Sequence, residues 1–240
     1  MDQPLQLEDL SPAIQASLEN GDRLVEDARW LLDLERYPTA FALSILAQEE
    51  YAKAFLLHLV KAGAIPWTVE VRRTLRDHTC KQLLALIMDF LQPDWDDFLV
   101  KLTAQRKTLP FPSHIADALN IVRHEKAVEY KDSDWLWDDT KPCDPKARKI
   151  ADGNVDREKQ NALYVGIGKT GQLVSTPLLI DVERAEAEYK RTANLGQMFS
   201  RKDAKVSPVL SLEYEMVFEA FRLLFGLTSV EEYNKHWWAK

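Results

Sequence analysis

Residues 38–61 read PTAFALSILAQEEYAKAFLLHLVK, and this stretch decides the fold. Positions 40–47 carry no charge, and Ser44 is the one polar residue among them. A helix that is apolar all round belongs at the centre of a bundle rather than on its surface. The stretch is interrupted by Glu49, Glu50, Lys53 and His58. A membrane span needs about 20 mainly apolar residues with few charges, so this is read as a buried helix. Spacing predicts a helix over Pro38–Lys61, restarted by the turn Tyr37-Pro38-Thr39 and ended near Gly63, with Pro66 beyond it.

The charges are the anomaly in that helix. Glu49 and Lys53 are spaced i,i+4 and Glu50 and Lys53 i,i+3, so both pairs can meet on one helical surface. On an exposed helix such pairs contribute only about 0.2–0.5 kcal/mol. In a central helix an unpaired charge costs several kcal/mol, so these groups need partners. Taken alone, the most economical reading is a buried structural ion pair.

Working outward, Ser11-Pro12 offers an N-cap and a first helical residue for a helix reaching about Leu34, with Gly21 as a weak point. A third helix is expected over Val69–Leu91, bounded by Gln92-Pro93, then a short segment near Trp95–Leu102 and a helix from Ser113 to Tyr130. Residues 131–156 are polar and Pro-containing without a period, and read as a long inserted loop. Residues 161–168 read as a short extended segment, and helices near Val182–Arg201 and Pro208–Leu227, with a short one to Trp238, close the chain. The expectation is an all-α bundle forming one domain over 1–240, with an N-terminal half at 10–91 and C-terminal helices at 177–239.

Composition narrows the function classes. A net charge of −7 means the surface as a whole does not attract nucleic acid or an anionic membrane, so neither DNA nor a membrane is an expected partner. Cys80 and Cys143 lack CxxC spacing, which suggests neither a zinc site nor a disulfide framework and fits a reducing cytoplasm. The start, MDQPLQLEDLSP, has no apolar core of a signal peptide. Gly166-Ile167-Gly168-Lys169-Thr170-Gly171 matches GxGxxG literally, but a phosphate-binding loop needs Gly where Leu163 stands. No strand–helix alternation surrounds it either, so it reads as a turn and no cofactor is expected.

Two more clusters bear on the charged helix. His78 and Lys81 share a face of the third helix, within Arg72-Arg73-Thr74-Leu75-Arg76-Asp77-His78-Thr79-Cys80-Lys81. Downstream, Asp156-Arg157-Glu158-Lys159-Gln160-Asn161-Ala162-Leu163-Tyr164-Val165 combines basic groups, a carboxamide and a phenol. A bundle can bring three such clusters together.

In order and separation these motifs resemble the AbiV family of bacterial abortive-infection proteins. The resemblance runs from about Ala16 to Val165. It rests on Leu18-Glu19-Asn20-Gly21-Asp22-Arg23-Leu24, Asp27-Ala28, Tyr37-Pro38-Thr39-Ala40, Glu49-Glu50-Tyr51-Ala52-Lys53, His78-Thr79-Cys80-Lys81 and Leu163-Tyr164-Val165. Ala162 stands where the family usually has Gly, and Lys159 is farther from Leu-Tyr-Val than is usual. The family is similar to the HEPN helical-bundle nucleases, whose Arg-x(4–6)-His pattern is matched by Arg73 and His78.

The resemblance implies a HEPN-like bundle acting in phage defence as a metal-independent endoribonuclease, a homodimer with RNA as substrate and a phage-encoded protein as trigger. In that reading His78 is the acid or base, because imidazole titrates near neutrality. Arg73, Lys81 or Lys53 stabilise the phosphorane, Glu49 or Glu50 holds Lys53 or His78, and Lys159 and Tyr164 complete the site. Glu50 and Lys53 are the expected organisers. The alternative is an interaction protein that binds a phage protein or the translation machinery, a reading the overall acidity favours. A metal-dependent hydrolase using Glu49, Glu50, Asp77 and His78 is weaker, since the lysines compete with a cation.

Overall fold

In the computed structural model the chain is described over residues 10–61, 63, 65–90, 113–122 and 144–200, together with 229 and 232. The apolar stretch forms α2 (Tyr37–Lys61), and burial runs around it: Phe41, Ile45, Tyr51, Phe55, Leu56, Leu59 and Val60 are all buried. It ends where Gly63 takes a left-handed φ of +72°, a conformation open to glycine at no steric penalty.

Around α2 stand α1 (Leu10–Asp33), α4 (His78–Phe90), α7 (Asn154–Leu163) and α8 (Val182–Ser200), each in contact with it. Shorter helices are α3 (Val69–Thr74), α5 (Ser113–Ile121) and α6 (Pro145–Ala151). The one sheet among the described residues is a hairpin, β1 (Gly166–Ile167) antiparallel to β2 (Leu173–Ser175). The architecture is all-α, as the sequence predicts. One cluster of buried side chains runs from Leu10 through α2 and α4 to Leu195, and a second gathers Phe41, Ile45, Ala162, Ile180 and Ala185 at the start of α2.

Several boundaries differ from the sequence reading. Leu10 is already helical, so Ser11 is no cap; its hydroxyl accepts from Lys61 Nζ at 2.7 Å. The expected single helix over Val69–Leu91 is two, because Asp77 caps a new start: its Oδ1 accepts from the Cys80 amide at 2.8 Å. Where it is described, the inserted loop is mostly helical, with a turn at Asp152-Gly153. Asp144 caps α6, accepting from the Lys146 amide at 2.9 Å, with Pro145 in the first turn, and α7 follows from Asn154. Helix also continues to Leu163, so of the expected extended segment only Gly166–Ile167 is strand. The segment near Trp95–Leu102, the end of the helix toward Tyr130, the loop before 144, the helix over Pro208–Leu227, the one to Trp238 and Cys143 lie outside the described residues.

Gly21 does not break α1; it makes room. A Cβ there would lie 2.6 Å from Tyr51 Cε1, and one at Gly196 of α8 would lie 2.6 Å from Tyr51 Oη. The Tyr51 ring is thus sandwiched between two glycine helix faces, while its hydroxyl donates to Asp22 Oδ1 at 2.7 Å. Burial and the carboxylate both push the phenol up, keeping it protonated as that donor. Gly21→Ala and Gly196→Ala are each expected to destabilise the fold by about 1–3 kcal/mol through overpacking. A thermal melt checks this. Tyr51→Phe should relieve Gly196→Ala in part, since it removes the hydroxyl contact but keeps Cζ at 2.9 Å, and leave Gly21→Ala unrelieved.

Candidate functional site

Glu49 projects from the middle of α2 between α4 and α7 and is 2% exposed. Four groups converge on its carboxylate. Lys159 Nζ of α7 lies 2.7 Å from Oε1, and Gln82 Nε2 of α4 donates to the same oxygen at 3.0 Å. His78 Nδ1 lies 2.5 Å from Oε2, and Lys81 Nζ lies 3.1 Å from it. His78 occupies the first turn of α4, Lys81 and Gln82 follow one turn later, and so the three share a face toward Glu49. The break at Asp77 creates this arrangement by starting a helix at His78.

Burial alone raises the pKa of Glu49, but Lys81, Lys159 and the His78 contact together outweigh it and hold the carboxyl below its ordinary 4.5. The group is therefore ionised at neutrality. A depressed folded pKa stabilises the fold fully above the unfolded carboxyl value, and that stability is lost as pH falls through the folded one. Wild-type protein should lose stability on acidification below the ordinary carboxyl range. Glu49→Gln should flatten that part of a melting-temperature profile taken between neutral pH and pH 3.

The carboxylate also sets the imidazole. An ionised carboxylate only accepts, so a 2.5 Å contact requires the proton on His78 Nδ1. Lys159 Nζ, 3.2 Å from the same nitrogen, then has no lone pair to bond there and acts through its charge. Nε2 carries the lone pair, on a side chain that is 50% exposed. This is an imidazole oriented by a buried carboxylate, on a half-exposed side chain.

Lys159 is 5% exposed and also pairs with Asp156 Oδ1 at 2.7 Å. Asp156 Oδ1 accepts no properly angled hydrogen bond in spite of that ion pair, and Gln82 Oε1 is likewise buried without a donor among the described residues. Two acids, Glu49 and Asp156, thus face two lysines, Lys81 and Lys159, around the imidazole. Glu49, His78 and Asp156 also offer three ligand atoms within 4.8 Å of one another, a spacing suited to a metal ion. The Lys159 ammonium stands in that space.

Of the residues singled out from the sequence, Glu49, His78, Lys81 and Lys159 come together. Glu50 and Lys53 do not organise this cluster: Lys53 Nζ lies 2.7 Å from both Glu50 oxygens, a pair of their own on the next face of α2. Arg73 is exposed on α3, separated from His78 by the helix break. Tyr164 is 67% exposed just beyond α7, and Arg157 donates to Asn154 Oδ1 at 2.9 Å rather than entering the site. Asp77 serves as a helix cap, so the metal-hydrolase set of Glu49, Glu50, Asp77 and His78 is not assembled. Gln82 escaped the sequence reading, and Asp156 was named there in its cluster without a role. Their i,i+4 and i,i+3 spacings from His78 and Lys159 were the available signals.

Beside Glu49, Gln48 points to another neighbour. Its Nε2 donates to Thr192 Oγ1 of α8 at 2.8 Å and to Glu188, which pairs with Arg191 at 3.1 Å. Arg191 also pairs with Asp89 of α4, whose carboxyl burial pushes up more than the guanidinium pulls it down. This second network fastens α8 to α2 and α4.

The motif-bearing helices and the Glu49 cluster all fall inside residues 9–197, which match a family model described as AbiV, of HEPN type. The chain belongs to the AbiV family. The match reaches past the motifs on both sides and takes in nearly all of α8. No curated protein and no solved structure matches the chain. Among the described residues of this AbiV chain, no helix is long and apolar enough to cross a membrane.

Proposed function

We propose that this AbiV chain is a cytoplasmic abortive-infection endoribonuclease, which cleaves RNA without a metal and so arrests growth or translation on infection. One observation carries the reading: the exposed imidazole of His78 is held at Nδ1 by the buried Glu49 carboxylate, beside two buried ammonium groups. Nε2 takes the proton from an RNA 2′-hydroxyl, the 2′-oxygen attacks the adjacent phosphorus, and the 5′-oxygen leaves with a proton from water, to which the imidazolium afterwards returns its own. The products are a 2′,3′-cyclic phosphate and a 5′-hydroxyl. Lys81 and Lys159 supply positive potential as charge grows on the phosphorane. The net charge of −7 gives no general attraction to RNA, so the positive potential has to be local. A homodimer, in which a second chain completes the RNA groove, and a phage-encoded trigger belong to the same reading.

The test is incubation of purified protein with single-stranded RNA in EDTA. Fragments ending in cyclic phosphate are expected from the wild type and not from His78→Ala. Uncut RNA, or equal cutting by the variant, overturns the assignment.

A second reading has its own observation. Tyr164, Val165, Ile167, Leu173, Val174, Leu178 and Leu179 are all more than half exposed along one continuous piece of chain. Clustered apolar exposure of this kind marks interaction surfaces. In this reading the protein binds a phage protein or the translation machinery, and translation stops while RNA stays intact.

A further inference from the structure

The centre of the Glu49 cluster has the form of a metal cage with an ammonium group in it. Lys159 Nζ lies 2.7 Å from Glu49 Oε1, 2.7 Å from Asp156 Oδ1 and 3.2 Å from His78 Nδ1. The same three residues present ligand atoms within 4.8 Å of one another. Two carboxylates and an imidazole form a donor set common to Zn²⁺ and Co²⁺ sites, at bond lengths of about 2.0–2.2 Å. Replacing the ammonium by such an ion requires each ligand to move inward by roughly 0.5–1 Å, the difference between these distances and metal–ligand bonds.

A second observation points the same way. Gln82 is 2% exposed and bonds Glu49 through its amide nitrogen, while its carbonyl oxygen has no donor among the described residues. Gln82 Oε1 and Asp156 Oδ1 are thus two buried acceptors of this site that no hydrogen bond among the described residues satisfies. The lysine stem is covalent and 5% exposed, so its charge cannot diffuse away. A free divalent ion would have to enter against it and against Lys81, 3.1 Å from Glu49 Oε2.

We propose that Lys159 is a tethered cation standing in the place of a metal ion, so that it excludes divalent metals from a cage otherwise built to bind one. It is a positioning residue: its charge fixes Glu49 and Asp156 without a dissociable ion. Removing the ammonium uncovers a site for a borderline transition metal, held by Glu49, His78 and Asp156, once the imidazole proton moves from Nδ1 to Nε2 and frees the Nδ1 lone pair for the ion. The inference stands independently of RNA cleavage, because its readout is metal binding.

The full chain, as wild type, Lys159→Met and the double variant Lys159→Met with His78→Ala, is titrated with Co²⁺. Visible absorption and equilibrium dialysis follow the metal. The wild type should show no Co²⁺ band from imidazole and carboxylate ligands at this site. Lys159→Met should take up one Co²⁺ per chain, roughly tenfold tighter or more, the scale on which groups around a metal shift its affinity. The double variant should lose that gain. If Lys159→Met folds only with Co²⁺ present, and the double variant does not, the proposal is equally supported. It is overturned if Lys159→Met binds no better than the wild type, or if the wild type already holds Co²⁺ through His78. It also falls if neither Lys159→Met nor Lys159→Ala folds with Co²⁺ present, since a free cation then does not replace the tethered one.

Discussion

Glu49→Leu is expected to destabilise the protein by about 3–5 kcal/mol, the scale for removing one partner of a buried charge cluster. Lys81 and Lys159 are 7% and 5% exposed, and Glu49 is the carboxylate they share. Without it Lys159 keeps Asp156 at 2.7 Å, while no other ion pair of Lys81 appears among the described residues. Two ammonium groups are then left in a region that water reaches poorly, with one acid between them. The measurement is the urea midpoint at neutral pH, at unchanged slope. The companion experiment separates the loss of a partner from the net worth of the cluster. Glu49→Leu combined with Lys81→Met and Lys159→Met removes the three charges that meet here, leaves Asp156 as a 21% exposed acid without its ammonium, and should recover part of the loss. A triple variant no more stable than Glu49→Leu would show that the residues contribute through shape rather than charge pairing.

His78→Ala is expected to do the opposite: leave the fold and remove the proposed RNA cleavage. The side chain is 50% exposed, and its loss leaves Glu49 with Lys81, Lys159 and Gln82. The melting temperature should therefore change little. RNA cleavage should fall by about 10²–10⁴-fold, the usual contribution of a positioned acid or base. Glu49→Gln adds a mechanistic check, because it removes the charge that keeps the proton on Nδ1. If Glu49 orients the base, this variant loses activity in addition to acid-sensitive stability. Full cleavage by a folded Glu49→Gln protein would remove the oriented-base account and leave His78 acting alone.

Local sequence rules reached far in this chain. The limits of α2 follow from Pro38, Gly63 and Pro66, and its central place follows from the absence of a polar face. The start of α8 at Val182 is likewise written in local periodicity. Helical spacing also placed His78 and Lys81 on one face. The errors came where a cap outweighed periodicity. Asp77 restarts the chain inside an apparently continuous helical pattern, and Asp144-Pro145 starts a helix inside a polar stretch with no apolar rhythm.

What the sequence by itself determined is the bundle, its central helix and the fact that charges on that helix require partners. What only the tertiary structure decided is which charge is the hub. Glu49 and Glu50 are neighbours in sequence with equal claims on Lys53, yet successive side chains diverge by about 100° around a helix. That rotation turns Glu49 toward α4 and α7, where His78, Lys81 and Lys159 lie, and leaves Glu50 paired with Lys53. Spacing along the chain reports only neighbours within a turn or so, whereas Lys159 reaches Glu49 across 110 residues. The angle at which the helices are packed around α2 sets that contact, and it is a property of the assembled core.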